Sequence, residues 1–237
     1  MAGGMGAFFH RLGWAACAAL LLAACQHDAY DTGDSRYSYL RTDFAEVYSD
    51  GNGVLWSAIT DDGDSLVFSP TVQRAWASRP DSAYRALVYY NLQPGGVAAT
   101  ASAVPLTVEP VSVAMVYVLR PLSGADSLAL KADPVVFESA WLSRNRRYVN
   151  LGLALMTGQP ETADASQTIG LVCDRVLAGN DGRRTYYYRL CHDQGNVPEY
   201  YKGTVYVSIP VSEMRAGDAV SITVPTYNGT VTRYFSF

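Results

Sequence analysis

Tyr148-Val149-Asn150-Leu151-Gly152-Leu153-Ala154-Leu155 is the stretch on which the fold turns. Val149, Leu151, Leu153 and Leu155 alternate with Tyr148, Asn150, Gly152 and Ala154, which is the period of a half-buried strand. The same alternation recurs at Val205, Val207, Ile209 and Val211, and again at Val220, Ile222 and Val224. Outward from these lie strand-like runs at Pro134–Leu142, Thr168–Leu177, Arg184–His192 and Thr230–Phe237, the last fed by the hairpin signal Asn228-Gly229. Short alternating strands at this density predict an immunoglobulin-like β-sandwich over residues 130–237.

The first half is also all-β, with a different spacing. Tyr37 to Val47 leads into Asp50-Gly51-Asn52-Gly53, then Val54 to Thr60, then Asp61-Asp62-Gly63-Asp64 and Leu66-Val67-Phe68. An aromatic-rich strand follows from Tyr84 to Leu92, and a Gly- and Ala-rich loop from Gln93 to Val104. Val111 to Leu119 is a continuous apolar run, expected to be a strand buried on both faces. About five strands in this space predict a small OB-like Greek-key barrel over residues 37–122. Proline, glycine and small polar residues at 121–133 mark the seam between the two domains.

Residues 1–24 read as a secretory signal. Arg11 precedes an apolar, uncharged run from Trp14 to Ala24, too short for the roughly 20 residues a membrane-spanning helix needs. It ends Leu22-Ala23-Ala24-Cys25, which resembles the lipobox of bacterial lipoproteins. That resemblance implies cleavage before Cys25 and lipid on its thiol, with the membrane as a partner through acyl chains that each contribute about 0.8 kcal/mol per buried CH₂. Residues 25–36 form a polar, acidic spacer. Losing Arg11 from 18 Lys+Arg leaves 17 against 22 Asp+Glu, a net charge of −5, which argues against a nucleic-acid partner.

Cys17 departs with the signal, leaving Cys173 and Cys191 in an oxidising compartment. Each lies nine residues from Gly182 in the turn Gly179-Asn180-Asp181-Gly182. Pairing across that hairpin would bring them close enough for a disulfide, whereas a one-residue slip would leave two small thiols packed as apolar groups.

No catalytic constellation stands out. His192 beside Asp193 could serve a hydrolase, but no Gly-x-Ser-x-Gly elbow is present, and a histidine at the surface end of a strand accounts for it. Walker A, Cys-x-x-Cys and His-Glu-x-x-His signatures are absent, so no cofactor or metal is expected. Asp61, Asp62 and Asp64 offer oxygens of the kind Ca²⁺ takes, but no glutamate follows at the EF-hand spacing, and the Asp-Gly turn explains them. Glu199, Tyr200 and Tyr201, next to Pro198, form an aromatic and acidic segment suited to stacking on a sugar or anchoring a protein.

Five stretches resemble the NigD-like lipoproteins of Bacteroides-type envelopes: Tyr37-Ser38-Tyr39-Leu40-Arg41, Ile59 to Asp64, Tyr84 to Asn91, Asp133 to Trp141, and His192 to Gly195 with Pro198 to Tyr201. The resemblance implies an N-terminal OB-like domain and a C-terminal β-sandwich, and it supplies no catalytic residues. The family takes its name from a protein associated with bacteriocin immunity. Three Asp-Ser pairs, at Asp64-Ser65, Asp81-Ser82 and Asp126-Ser127, resemble the O-glycosylation sites of such envelopes. The expected function is therefore that of a non-enzymatic, lipid-anchored outer-membrane protein that binds or protects, on either face of that membrane. The competing expectation is a surface module for a glycan or protein ligand.

Overall fold

The computed structural model describes residues 40–93, 105–122, 131–160, 162 and 165–237. Cys25, the spacer, Tyr37 to Tyr39 and Ser127 lie outside the described residues.

Five strands close a barrel in the order β1-β2-β3-β5-β4. They are β1 (Arg41–Ser49), β2 (Leu55–Thr60), β3 (Ser65–Val72), β4 (Ala83–Leu92) and β5 (Leu106–Met115). All neighbours are antiparallel except β3 and β5, which run parallel from Leu66↔Leu106 to Phe68↔Val108. The first turn is set by Asp50, whose Oδ1 accepts the N–H groups of Asn52 and Val54, each at 2.9 Å. Gly53 completes it at φ 74°, beside a Ser78 carbonyl that a side chain would strike. Inward-facing Val47, Leu55, Leu66, Phe68, Val88 and Val108 fill the barrel.

The sandwich expected from the alternating strands is present. It comprises β7 (Val136–Leu142), β8 (Tyr148–Thr157), β9 (Thr168–Ala178), β10 (Arg184–Asp193), β11 (Tyr201–Pro210), β12 (Ala219–Thr226) and β13 (Gly229–Ser236). One sheet runs β13-β12-β10-β9 and the other β6-β11-β8-β7. The added strand β6 (Tyr117–Val118) pairs parallel with β11, and β10 pairs parallel with β12. Immunoglobulin sheets are antiparallel throughout, so these two pairs are a departure from that pattern. Val149, Leu151, Leu153, Leu190, Ile209 and Ile222 make the core between the sheets.

Two expectations about burial are corrected. The apolar run Val111–Leu119 is not one strand buried on both faces, since Met115, Tyr117 and Val118 are exposed. It is divided at Val116, where the chain leaves the barrel and enters the sandwich sheet as β6. Conversely β8 is not half-buried: every residue from Val149 to Leu155 is buried. Its second face, carrying Asn150, Gly152 and Ala154, is covered as well. At Gly152 an added Cβ would meet the Ser139 Oγ and touch the Tyr206 ring, so a methyl group fits there only if the Ser139 hydroxyl turns away.

The disulfide is also corrected. Cys173 and Cys191 are both free. In the register between β9 and β10, Tyr188 faces Cys173 and Cys191 faces Gly170, with a shift between Tyr187 and Tyr188. The thiols thus sit three positions out of opposition, roughly 10 Å along a strand, beyond the reach of an S–S bond. A chain beginning at Gln26, denatured without reductant, is expected to react with maleimide at two thiols. Mass spectrometry would read the addition, and an unlabelled pair would restore the bridge.

Candidate functional site

The second faces of β8 and β11 hold a buried polar network at the junction with the barrel. Arg85 on β4, its side chain 1% exposed, donates from Nη1 to Asp61 Oδ1 at 2.7 Å and from Nη2 to Asp61 Oδ2 at 2.6 Å. Its Nη2 also donates to Asn150 Oδ1 at 3.2 Å, and its Nε to Ser208 Oγ at 3.1 Å. Ser208 Oγ in turn donates to Asn150 Oδ1 at 2.7 Å. Asp61 and Arg85 come from the barrel, Asn150 and Ser208 from the sandwich. The guanidinium lies 4.2 Å from the centre of the Tyr148 ring, close enough for a cation–π contact.

A second cluster extends this junction towards solvent. Glu46 on β1 accepts from Arg147 Nη1 and from the Tyr148 hydroxyl, both at 2.6 Å, and from Tyr48 at 3.2 Å. Burial, followed by the hydrogen bond and charge of Glu46, pushes the Tyr148 phenol up to about 12. Phe44 meets Trp141 and Tyr206 edge-on, each at 5.4 Å between centroids. Beside this junction opens a cleft of about 880 Å³ with Arg85 and Tyr148 in its wall and Arg79, Arg120, Arg184 and Arg215 also lining it.

The residues expected to bind a ligand lie elsewhere, Glu199 and Tyr200 in the β10–β11 connection and Tyr201 at the start of β11. Tyr200 and Tyr201 are 75% and 59% exposed, and Glu199 accepts a hydrogen bond from the Tyr227 hydroxyl at 2.8 Å. Burial, then Glu199, pushes the Tyr227 phenol up to about 12. The connection is fastened by Gln194, whose Nε2 donates to the carbonyls of Met156 and Val197 at 2.9 and 2.7 Å. The structure therefore brings Glu199 to Tyr227 and presents two tyrosines to solvent, with Tyr227 a member that spacing alone did not reveal.

His192 is corrected from a surface position to a buried one, 2% exposed, and neither ring nitrogen has a partner among the described residues. Its main chain is tied instead, to the Lys131 carbonyl and the Asp133 N–H. The parallel bridge Ala132↔His192 covers the strand end that the sequence left open. The acidic turn acts through its backbone and ion pairs: Gly63 stands at φ 92°, Asp61 pairs with Arg85, and Asp62 lies 3.5 Å from Arg144. Among the described residues no three His, Cys, Asp or Glu are grouped to hold a metal ion.

No family model matches the chain, and no curated protein matches it. Solved structures do. A NigD-like immunity protein from Bacteroides caccae is 22% identical with a TM-score of 0.63, over 83% of this chain and 96% of that one. A toxin-related protein from Parabacteroides distasonis is 19% identical at TM-score 0.60, covering 84% and 93%. A lipoprotein from Bacteroides fragilis is 12% identical at 0.56, covering 83% and 96%. The chain shares the fold of these proteins, barrel and sandwich together.

Two predictions follow from the geometry. Asp61→Ala leaves the Arg85 charge buried and unpaired and should cost about 3–5 kcal/mol, while Asp61→Leu combined with Arg85→Met should recover most of it. Denaturant unfolding measures both. For His192, burial holds the folded imidazole below its usual 6.5, so the unfolded chain takes up the proton first as pH falls. Stability is then complete above about pH 6.5 and is lost on descending through it. Relative to His192→Leu, the native chain should melt progressively earlier between pH 7.5 and 5.5, and parallel melting curves would contradict this.

Proposed function

We propose that the chain is a NigD-like envelope lipoprotein that works by binding rather than catalysis, in protection of the cell against a bacteriocin. The observation that carries this reading is a fold shared with a NigD-like immunity protein over 96% of that protein's length. The lipobox at Cys25 and the acidic spacer support a lipid anchor on the outer membrane. A second reading, capture of a glycan or protein ligand at the cell surface, is favoured by the exposed Tyr200 and Tyr201 beside Glu199.

Deletion of the gene should raise sensitivity to at least one bacteriocin in a panel from related strains. Restoration by the native chain, but not by Cys25→Ser, would tie protection to the anchor, and Cys25→Ser should leave the membrane fraction. Unchanged sensitivity of the deletion strain would remove the protective role. A glycan array or partner pull-down that loses signal in Tyr200→Ala and Tyr201→Ala would then favour capture.

A further inference from the structure

The cleft beside the barrel–sandwich junction concentrates positive charge on a chain whose formal net charge is −4. Six of its 18 Lys+Arg residues line it. Two are spent within the protein, Arg85 on Asp61 and Arg147 on Glu46. Of the remaining four, Arg79 lies 5.7 Å from the Tyr84 ring centre. Among the described residues, no hydrogen bond or salt bridge engages the guanidinium groups of Arg120, Arg184 and Arg215.

Asp218, a carboxylate of the cleft, bonds the backbones of two of these residues and not their guanidinium groups. Asp218, buried at 4% exposure, accepts the main-chain N–H of Arg184 on Oδ1 at 2.9 Å and that of Arg215 on Oδ2 at 3.0 Å. Those two bonds hold its pKa below the usual carboxylate range. Asp218 therefore fastens the start of β10 to the β11–β12 connection by their backbones and leaves both side chains to the cleft. Four arginines stand against Glu213 and Asp218, an excess of positive charge in a concave site. Tyr148, Tyr186 and Tyr188 add aromatic surface to the wall. A volume of about 880 Å³ lies within the range of roughly 300–1,000 Å³ typical of small-molecule sites.

We propose that this cleft binds a polyanion of small-molecule size carrying two or more phosphate or carboxylate groups. Guanidinium forks match both groups bidentately, and arginines drawn from separate segments suit an anion with more than one charged end. The phosphate or carboxylate could belong to a free small molecule or to the anionic end of a larger one. This assignment is independent of the protective role.

The test is isothermal titration of the folded chain with inorganic pyrophosphate and with citrate at low ionic strength, and with a neutral trisaccharide as control. Saturable binding of at least one anion, weakened by added salt, is expected. Arg184→Gln with Arg215→Gln should weaken it about tenfold or more, as expected for lost charge-assisted contacts. Because Asp218 holds those residues by the backbone, the double variant should keep its melting temperature. Arg233→Gln, on β13 over the Phe137 ring and outside the cleft, should bind as the native chain does. Preference for pyrophosphate would point to a phosphate-bearing source, preference for citrate to a carboxylate-bearing one. No saturable binding of either anion, or equal binding by the double variant, would overturn the proposal.

Discussion

A guanidinium taken out of water must find a partner for each of its N–H groups and a counter-charge for the whole, or the desolvation cost is unrecovered. Arg85 makes four hydrogen bonds from its five N–H groups, and finds them and its counter-charge only with residues from two domains. Asp61 supplies the charge from the barrel, and Asn150 and Ser208 supply acceptors from the sandwich. Apolar contact between two β-domains is non-directional and would tolerate sliding, whereas a bidentate fork with two further fixed acceptors admits one geometry. The aromatic contacts of Phe44 with Trp141 and Tyr206 then pack around a position already specified.

The same junction explains the composition of β8 and β11. Their inward faces are the Val, Leu and Ile core of the sandwich, and those residues alternate as any buried face does. Their other faces carry Asn150, Gly152 and Ser208, where a solvent-facing strand would carry larger and charged side chains. Small and uncharged polar residues at those positions fit a face that is closely covered and hydrogen-bonded. The period of two was legible in the sequence because it reports the core. The covering of the second face was not, because Asn150 and Ser208 acquire their meaning only from Arg85, 65 and 123 residues away.

Local signals and non-local ones parted in the same way elsewhere. The barrel strands and their Asp-Gly turns could be read because a turn's backbone conformation is set by its own few residues. The relation of Cys173 to Cys191 could not: from Arg184↔Ala178 onward the hairpin is already two positions away from the pairing that would oppose them, and the shift between Tyr187 and Tyr188 adds a third. A strand-end position for His192 was correctly inferred, but its burial depends on residues 131–133 crossing over it. Glu199 and Tyr200 were legible as loop residues leading into Tyr201 of β11, while Tyr227, which bonds Glu199, stands in a different hairpin.

Net charge was the least informative of the sequence-level quantities for the site. It sums over a surface on which acidic and basic groups have been sorted. The carboxylates near the junction serve structure: Asp61 neutralises Arg85, Glu46 gathers Arg147 with two phenols, and Asp218 ties two backbone segments. Each of those roles occupies carboxylate oxygens, so neighbouring guanidinium groups have fewer of them to bond, although the carboxylate charge remains. A chain that is acidic overall can in this way surround one concavity with unpaired guanidinium groups. The field there is governed by the local balance of six arginines over the few carboxylates that line the cleft, because charges closer than a Debye length of about 8–10 Å outweigh distant ones.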